Sequence, residues 1–163
     1  MNLELEKVSQ MNRELFMNIW QYFGYDFSEM QGMDVDNSGK YKLPDDIEEY
    51  IDQSEYKSFV IKVDSRVAGV AVIKFLTDEE TFYFRHFFIM RKYRHNGISQ
   101  EAATKILDQY TGRWRVSQFD YNVIAIKFWR NLIHNYTKND YREIRRIDDK
   151  GPQQEFISPI SRI

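Results

Sequence analysis

The stretch FFIMRKYRHNGISQEA, residues 87–102, holds the residue types and spacing best suited to chemistry. An apolar run leads into Arg91, Lys92 and Arg94, then Gly97, then a helix-patterned segment. Free N–H groups at a helix start, the positive end of its dipole and adjacent cations can together hold a diphosphate. Gly97 would let the backbone come close to such a ligand. An ordinary surface turn is the competing reading of one glycine among arginines. A second candidate, Asp34-x-Asp36-x-Ser38-Gly39, opens like a calcium loop. Its twelfth position is Asp45 rather than a bidentate Glu and Pro44 precedes it, so it reads as an Asx-rich turn with Gly39 at positive φ. The run RKYRH at 91–95 lacks the surrounding basic face that nucleic acid would need. No His, Asp or Glu cluster shows metal-ligand spacing, so no metal is expected.

Periodicity indicates the elements that must position these residues. Leu3, Leu5 and Val8 suggest a short strand. Ser9 can cap a helix whose apolar positions Leu15, Phe16, Ile19, Trp20 and Phe23 recur until Gly24. A polar stretch from Tyr25 to Pro44 is then expected as a long loop, functional or mobile. Pro44 and DDIEEYI open a short helix. Strands follow at Lys57–Val63, Val67–Phe75 and Thr81–Met90 on short connections, an antiparallel meander. A helix over Ile98 to about Tyr110, a strand at Arg113–Phe119, a helix from about Asn122 to Asn135, and strands at Tyr141–Ile147 and Glu155–Ile157 complete the order β-α-α-β-β-β-α-β-α-β-β. The step from Thr81 to Phe119 must be a parallel crossover. The fold class is α/β (α+β), a mixed sheet with helices on both faces.

Composition sets outer bounds. The 163 residues, 42% hydrophobic and 16% aromatic, suit one packed domain over residues 1–163, with no linker or repeat to divide it. Net charge is −2, which argues against a bulk polyanion partner. Residues 1–56 carry 13 acids against 4 bases, leaving 12 against 19 beyond. Two solvated faces of opposite sign account for this, as does an acidic acceptor side facing a basic cofactor side. No cysteine is present, so disulfides and thiolate chemistry are excluded. No signal-like or membrane-spanning run appears, and a cytoplasmic protein without a membrane partner is expected.

Two motifs together carry a family resemblance. Arg94-His95-Asn96-Gly97-Ile98-Ser99 resembles the acyl-coenzyme A signature Q/R-x-x-G-x-G/A of the GNAT acetyltransferase superfamily, with Ser99 in place of the second small residue. Asn122-Val123-Ile124-Ala125-Ile126-Lys127-Phe128-Trp129 is similar to that superfamily's N-x-x-A-x-x-F-Y/W helix. The 25 positions between Gly97 and Asn122 accommodate one helix and one strand, as the GNAT fold requires. YDFSE, HFFIMRKYR, GRWRV and FWRNLIHNYT further resemble a bacterial subgroup of predicted acetyltransferases.

The resemblance implies a GNAT-like, mostly antiparallel central sheet and acetyl-coenzyme A as co-substrate. Backbone groups near Phe88, Ile89 and Met90 would bond the pantetheine amides. Arg91 and the turn Arg94, His95, Asn96, Gly97, Ile98 and Ser99 would hold the diphosphate, and Asn122, Phe128 and Trp129 would line the thiol arm. Acetyl passes directly to a primary amine of a small molecule or peptide. Freeing the lone pair of a lysine-like amine costs roughly 4 kcal/mol at cellular pH, which calls for a base. His86, one residue before FFI, is the candidate base, or else a strand histidine satisfied by a neighbour. Trp129 stands where many relatives have a proton-donating tyrosine, so Tyr136, another tyrosine or water must serve. His95 belongs to the cofactor turn and His134 to a helix C-terminus. Tyr25, Asp26 and Glu29, with Tyr22, Tyr41, Asp34 and Asp36, are candidates to contact the acceptor, the acids favouring a cationic one. Relatives imply a homodimer through the C-terminal strands. The competing function is a non-catalytic acyl-coenzyme A sensor or interaction module.

Overall fold

The structure, a computed structural model, describes residues 1–159. Residues 160–163 of the expected domain lie outside the described residues. The strands are β1 (Leu3–Lys7), β2 (Tyr56–Val63), β3 (Arg66–Leu76), β4 (Thr81–Ile89), β5 (Gly112–Ser117), β6 (Arg142–Arg145) and β7 (Pro152–Ser158). The helices are α1 (Arg13–Gln31), α2 (Glu49–Asp52), α3 (Ile98–Gln109) and α4 (Val123–Thr137). Element order is the expected one, and the strands run β1-β2-β3-β4-β5-β7-β6 in a mixed, mostly antiparallel sheet. The β4–β5 pairing is parallel, as the intervening helix requires.

The chain divides into two compact units. Met1–Ile73 with Arg85–Ser99 forms the first. There β1 pairs antiparallel with β2, from Leu3↔Val63 to Lys7↔Phe59. Asp64 and Ser65, both at positive φ, make the two-residue turn into β3. The unit's core gathers Phe16, Ile19, Trp20, Tyr50, Val60, Val70 and Phe88. Gly69 brings β3 against β4 so closely that a Cβ there would lie 2.0 Å from the Phe88 carbonyl oxygen.

Two expectations need correction in this unit. Ser9 does cap the entry, through a short turn at Gln10–Asn12 with reciprocal side-chain bonds, but α1 does not stop at Gly24. It continues to Gln31 and ends at Gly32, whose φ of +67° suits a left-handed cap. Gly24 is a packing glycine, because a Cβ there would sit 2.8 Å from Tyr41 Cβ. Gln21 holds that neighbour by bonding both Tyr41 N–H (2.8 Å) and Tyr41 C=O (3.0 Å). Tyr25, Asp26 and Glu29 therefore lie on a helix, not in a loop. After Pro44, only Glu49–Asp52 is α-helical, and before it the N–H groups of Ile47 and Glu49 bond back three positions, to the Pro44 and Asp46 carbonyls.

The second unit comprises Lys74–Phe84 and the chain from Gln100 on. Thr81–Tyr83 of β4 pair in parallel with Arg113–Arg115 of β5. β7 lies between β5 and β6, from Gly112↔Ser158 to Ser117↔Gln153 on one side and Arg142↔Glu155 to Arg145↔Pro152 on the other. β6 is exposed along its length and carries Arg142, Glu143 and Arg145, charges that discourage edge-to-edge pairing. Ala102, Ala103, Ile106 and Leu107 form the buried stripe of α3 that the periodicity predicted. Phe84 contacts Trp114 (5.0 Å between centroids) and Trp129 (4.7 Å).

Candidate active site

The predicted diphosphate turn follows β4 directly. Met90 N–H bonds the Ala68 carbonyl at 2.8 Å, fixing the strand end, and a single turn at Arg91–Tyr93 reverses the chain toward α3. His95 (φ +69°) and Gly97 (φ +77°) are left-handed, whereas Asn96 between them is not. Such sign alternation turns successive N–H groups toward a common centre, the arrangement that receives anions. The N–H groups of His95, Asn96 and Gly97 donate to no other group among the described residues. Gly97 is needed for its φ rather than for space, since among the described residues nothing lies within 4 Å of where its Cβ would be. Ile98 is buried and anchors the helix start, while His95, Asn96 and Gly97 are exposed. The turn is therefore a solvent-facing set of open donors.

Its arginines are already engaged. Asp26 of α1 accepts from Arg91 Nε at 2.9 Å and from both terminal nitrogens of Arg94, at 2.8 and 3.3 Å. Arg94 Nε also donates to the Ile89 carbonyl at 2.8 Å, and its guanidinium lies 5.6 Å from the Phe88 ring centre. Partial burial pushes the Asp26 carboxyl up, but the bonds from Arg94 and Arg91 outweigh it and hold the group below the usual aspartate range. The acid expected to face a cationic acceptor thus grips the arginines of the turn after β4 instead, leaving Arg91 mostly exposed and Arg94 partly so. Tyr25 and Glu29 are exposed on α1, and both lie close enough to Arg91 to act on its guanidinium electrostatically.

His86 lies at the centre of the first unit's aromatic cluster. Trp20 approaches its ring edge-on at 4.8 Å, with Phe23 at 5.8 Å and Tyr50 at 5.5 Å. Its Nε2 is 2.9 Å from Tyr50 Oη. Desolvation lowers the imidazole to about 3, helped by Arg85 and opposed by Asp46, so the ring is neutral near pH 7. Trp20 Nε1 is buried and has no hydrogen-bond partner among the described residues.

The remaining candidates belong to the second unit. Asn122 caps α4, its Oδ1 accepting from Ala125 N–H at 3.2 Å, which gives the motif's asparagine and alanine a local reason for their spacing. Phe128 is half-buried, and Trp129 is buried against Phe84. Tyr136 donates to Asp108 at 2.8 Å and lies 3.1 Å from Ser158 Oγ, which donates to the Leu107 carbonyl. Burial raises the Tyr136 phenol to about 12; Asp108 reinforces the shift and Ser158 opposes it. A phenol so placed is a weak acid with its proton committed. The unit also holds a cleft of about 720 Å³ lined by Thr81, Arg113, Trp114, Arg115, Arg142 and Glu155, which no sequence pattern announced. Two ion pairs lie in its lining, Arg115 with Glu79 and Arg142 with Glu155.

Asp46 and Tyr50 were missed as neighbours of His86, and Asp26 as the partner of Arg91 and Arg94. The signal available was the acid-rich start of the segment after Pro44, but pairing across so many residues leaves no local pattern. The Asp36 turn matches its reading: Asp36 Oδ1 accepts from Ser38 N–H (2.8 Å), Ser38 Oγ (2.6 Å) and Lys40 N–H (3.1 Å), with Gly39 at φ +79°. Among the described residues no helix is long and apolar enough to cross a membrane.

Comparison with known proteins bears on the family and the fold. The Acetyltransferase (GNAT) family matches residues 19–132. No curated protein sequence matches the chain. Among solved structures, an acetyltransferase from Thermus thermophilus is similar, with TM-score 0.71 at 13% identity over 96% of this chain and 97% of that one. The PaiA N-acetyltransferase of Thermoplasma acidophilum, in complex with coenzyme A, gives 0.60 at 14% identity over 96% and 99%. A spermidine N-acetyltransferase SpeG chimera from Vibrio cholerae and hSSAT gives 0.61 at 10% over 99% and 96%. At such identities these likenesses speak for the fold, while the family match extends over most of the sequence and spans both motifs. The chain belongs to the GNAT acetyltransferase family, whose members take their acetyl group from acetyl-coenzyme A.

Proposed function

We propose that this protein is a single acetyltransferase domain that moves the acetyl group of acetyl-coenzyme A to a primary amine of a cationic small molecule or peptide. The observation that carries the reading is the set of undonated N–H groups at His95, Asn96 and Gly97, held open at the start of α3. They fit a diphosphate in both charge and donor type. Arg91 and Arg94 supply positive charge beside them, with Asp26 setting their orientation. Acetyl-coenzyme A supplies an activated thioester. The chain's part is to hold it, to receive the amine in neutral form and to take up the proton that amine gives.

Of the titratable candidates, His86 suits the proton-accepting role better than Tyr136 suits proton donation. The imidazole is neutral and carries one free lone pair, whereas the Tyr136 hydroxyl already bonds Asp108. The net excess of acids in residues 1–56 favours a cationic acceptor, although Asp26 is not one of the acids free to receive it.

Amide spectra of residues 95–99 recorded with and without coenzyme A test the cofactor site. Thiol release over a panel of polyamines, lysine peptides and neutral amines tests turnover. Shifted amides with release on cationic amines are expected. Shifted amides with no release on any amine would mean a binding module without transfer. Unmoved amides at saturating coenzyme A would refute the site.

A further inference from the structure

The hydrogen bonds around His86 determine which of its nitrogens carries the proton. Tyr50 Oη lies 2.6 Å from Asp46 Oδ1 and 2.9 Å from His86 Nε2. A phenol has one proton to give. Asp46 is ionised at neutral pH: burial acts to raise its carboxyl, but the bond from Tyr50 and the charge of Arg85 leave it below the usual range. An ionised carboxylate can only accept, so Tyr50 donates to Asp46. The contact with Nε2 must then run the other way, from Nε2–H into the phenol oxygen. That leaves Nδ1 with the lone pair, and Nδ1 makes no hydrogen bond among the described residues.

We propose that Asp46 and Tyr50 are positioning residues for His86, forming a chain Asp46···H–O Tyr50···H–Nε2 that fixes the imidazole in the tautomer whose Nδ1 receives the acceptor's proton. The proposal rests on the reading of His86 as the base. Every group in the chain belongs to one unit: Asp46 follows Pro44, Tyr50 lies on α2 and His86 on β4. The surroundings hold it in place. Tyr50 is 2% exposed, its carbonyl accepts from Ser58 Oγ at 2.7 Å, and Trp20 and Tyr56 pack on its ring. The charged and titratable groups facing the chain are Arg85, 3.6 Å from Asp46 Oδ2, and Tyr56, 3.4 Å from the same oxygen. α1 contributes only the rings of Trp20 and Phe23.

The proton count closes. An N–H bond of the acceptor ammonium breaks as Nδ1–H forms. Nε2–H passes its proton to Tyr50 Oη, and Tyr50 passes its own to Asp46. The amine becomes neutral, the ring and the phenol end neutral, and Asp46 loses its charge. No imidazolium is created in a place where burial opposes it. In hydrolytic triads the carboxylate behind the histidine likewise fixes its tautomer, without itself taking the proton.

The test is ¹⁵N NMR of the His86 ring in the full chain, combined with thiol-release kinetics, for wild type, Tyr50→Phe and Asp46→Asn. Wild type should show a single Nε2–H tautomer at pH 7. Tyr50→Phe removes the acceptor of that proton, so mixed tautomers are expected, with kcat lower by about tenfold and the KM for acetyl-coenzyme A unchanged. Asp46→Asn, nearly isosteric, keeps the fold should Tyr50→Phe melt too low to study; its amide oxygen still accepts from Tyr50, so the tautomer should hold while kcat falls for want of the carboxylate. An Nδ1–H wild-type ring, or variants that keep both tautomer and kcat, would overturn the proposal. Turnover on amines with the wrong tautomer overturns this inference alone. The right tautomer without turnover on any amine overturns the functional reading on which it rests.

Discussion

Replacing Gly69 by alanine should damage the protein twice, and the structure allows both effects to be sized. A Cβ at this position in β3 would meet the Phe88 carbonyl oxygen at 2.0 Å, Phe88 carbonyl carbon at 3.0 Å and Ile89 Cα at 3.1 Å. All three are backbone atoms, so no side chain can swing aside. Ordinary contact begins at 3.4 Å, which forces β3 and β4 apart by roughly 1 Å. Overpacking of this sort costs about 1–3 kcal/mol, and a rigid backbone neighbour places it near the upper end. At about 2–4 °C per kcal/mol for a chain of this size, the melting midpoint should fall by roughly 6–12 °C. Phe88–Met90 are also the residues proposed to meet the pantetheine, and a displacement near 1 Å can lower turnover by about a hundredfold. Gly97→Ala is the matched control. It meets no atom within 4 Å but must hold φ near +77°, a strain of about 1–2 kcal/mol, with amide directions in the turn disturbed. Thermal melts and coenzyme A titrations of the two variants separate the effects. A Gly69→Ala protein that melts within 1 °C of wild type and turns over normally would refute the close-approach argument.

Three further outcomes follow from the same geometry. The folded-state pKa of His86, about 3, lies below its usual 6.5, so its contribution to stability is complete above pH 6.5 and is lost as pH falls toward 3. Stability should decline by at most about 1.4 kcal/mol per pH unit over that window. His86→Gln should flatten the decline in pH-dependent melts. Asp26→Asn should lower stability by about 1 kcal/mol, after discounting for exposed arginines. It should also tighten coenzyme A binding by freeing cationic charge, with steeper salt dependence. Weaker binding by isothermal titration would show that orientation outweighs charge. Tyr136→Phe should cost about 1–2 kcal/mol by unfastening Asp108 and Ser158, read as a lower denaturation midpoint. A hundredfold loss of kcat at unchanged stability would instead make Tyr136 an acid.

Element types and their order were legible because each rests on local pattern. The alternation in β1, the apolar stripe of α3 and the Asn122 cap are all set within a few residues. Gly24 misled because glycine has two uses in a helix, ending it or admitting a neighbour, and only the position of Tyr41 distinguishes them. The segment after Pro44 misled for a related reason. Its acids suit a helix start, yet Asp46 is used by Tyr50 and Arg85, and the backbone closes four-residue turns there instead. The donor turn at Arg94–Ser99 was visible as a motif. What its arginines bond to was not, because Asp26 lies 68 residues before Arg94 and nothing near either announces the other. The tautomer of His86 was likewise hidden, since it depends on two residues from a different part of the chain.

Placing the last strand between β5 and β6 has a consequence for biosynthesis. Ser117 finds its partner Gln153 only 36 residues later, about 2–7 s of ribosomal elongation. Throughout that interval one edge of β5 is without its mate. A nascent chain stalled before Pro152 would present that edge to other strands, and aggregation of translation-arrested product is the cellular cost this ordering carries.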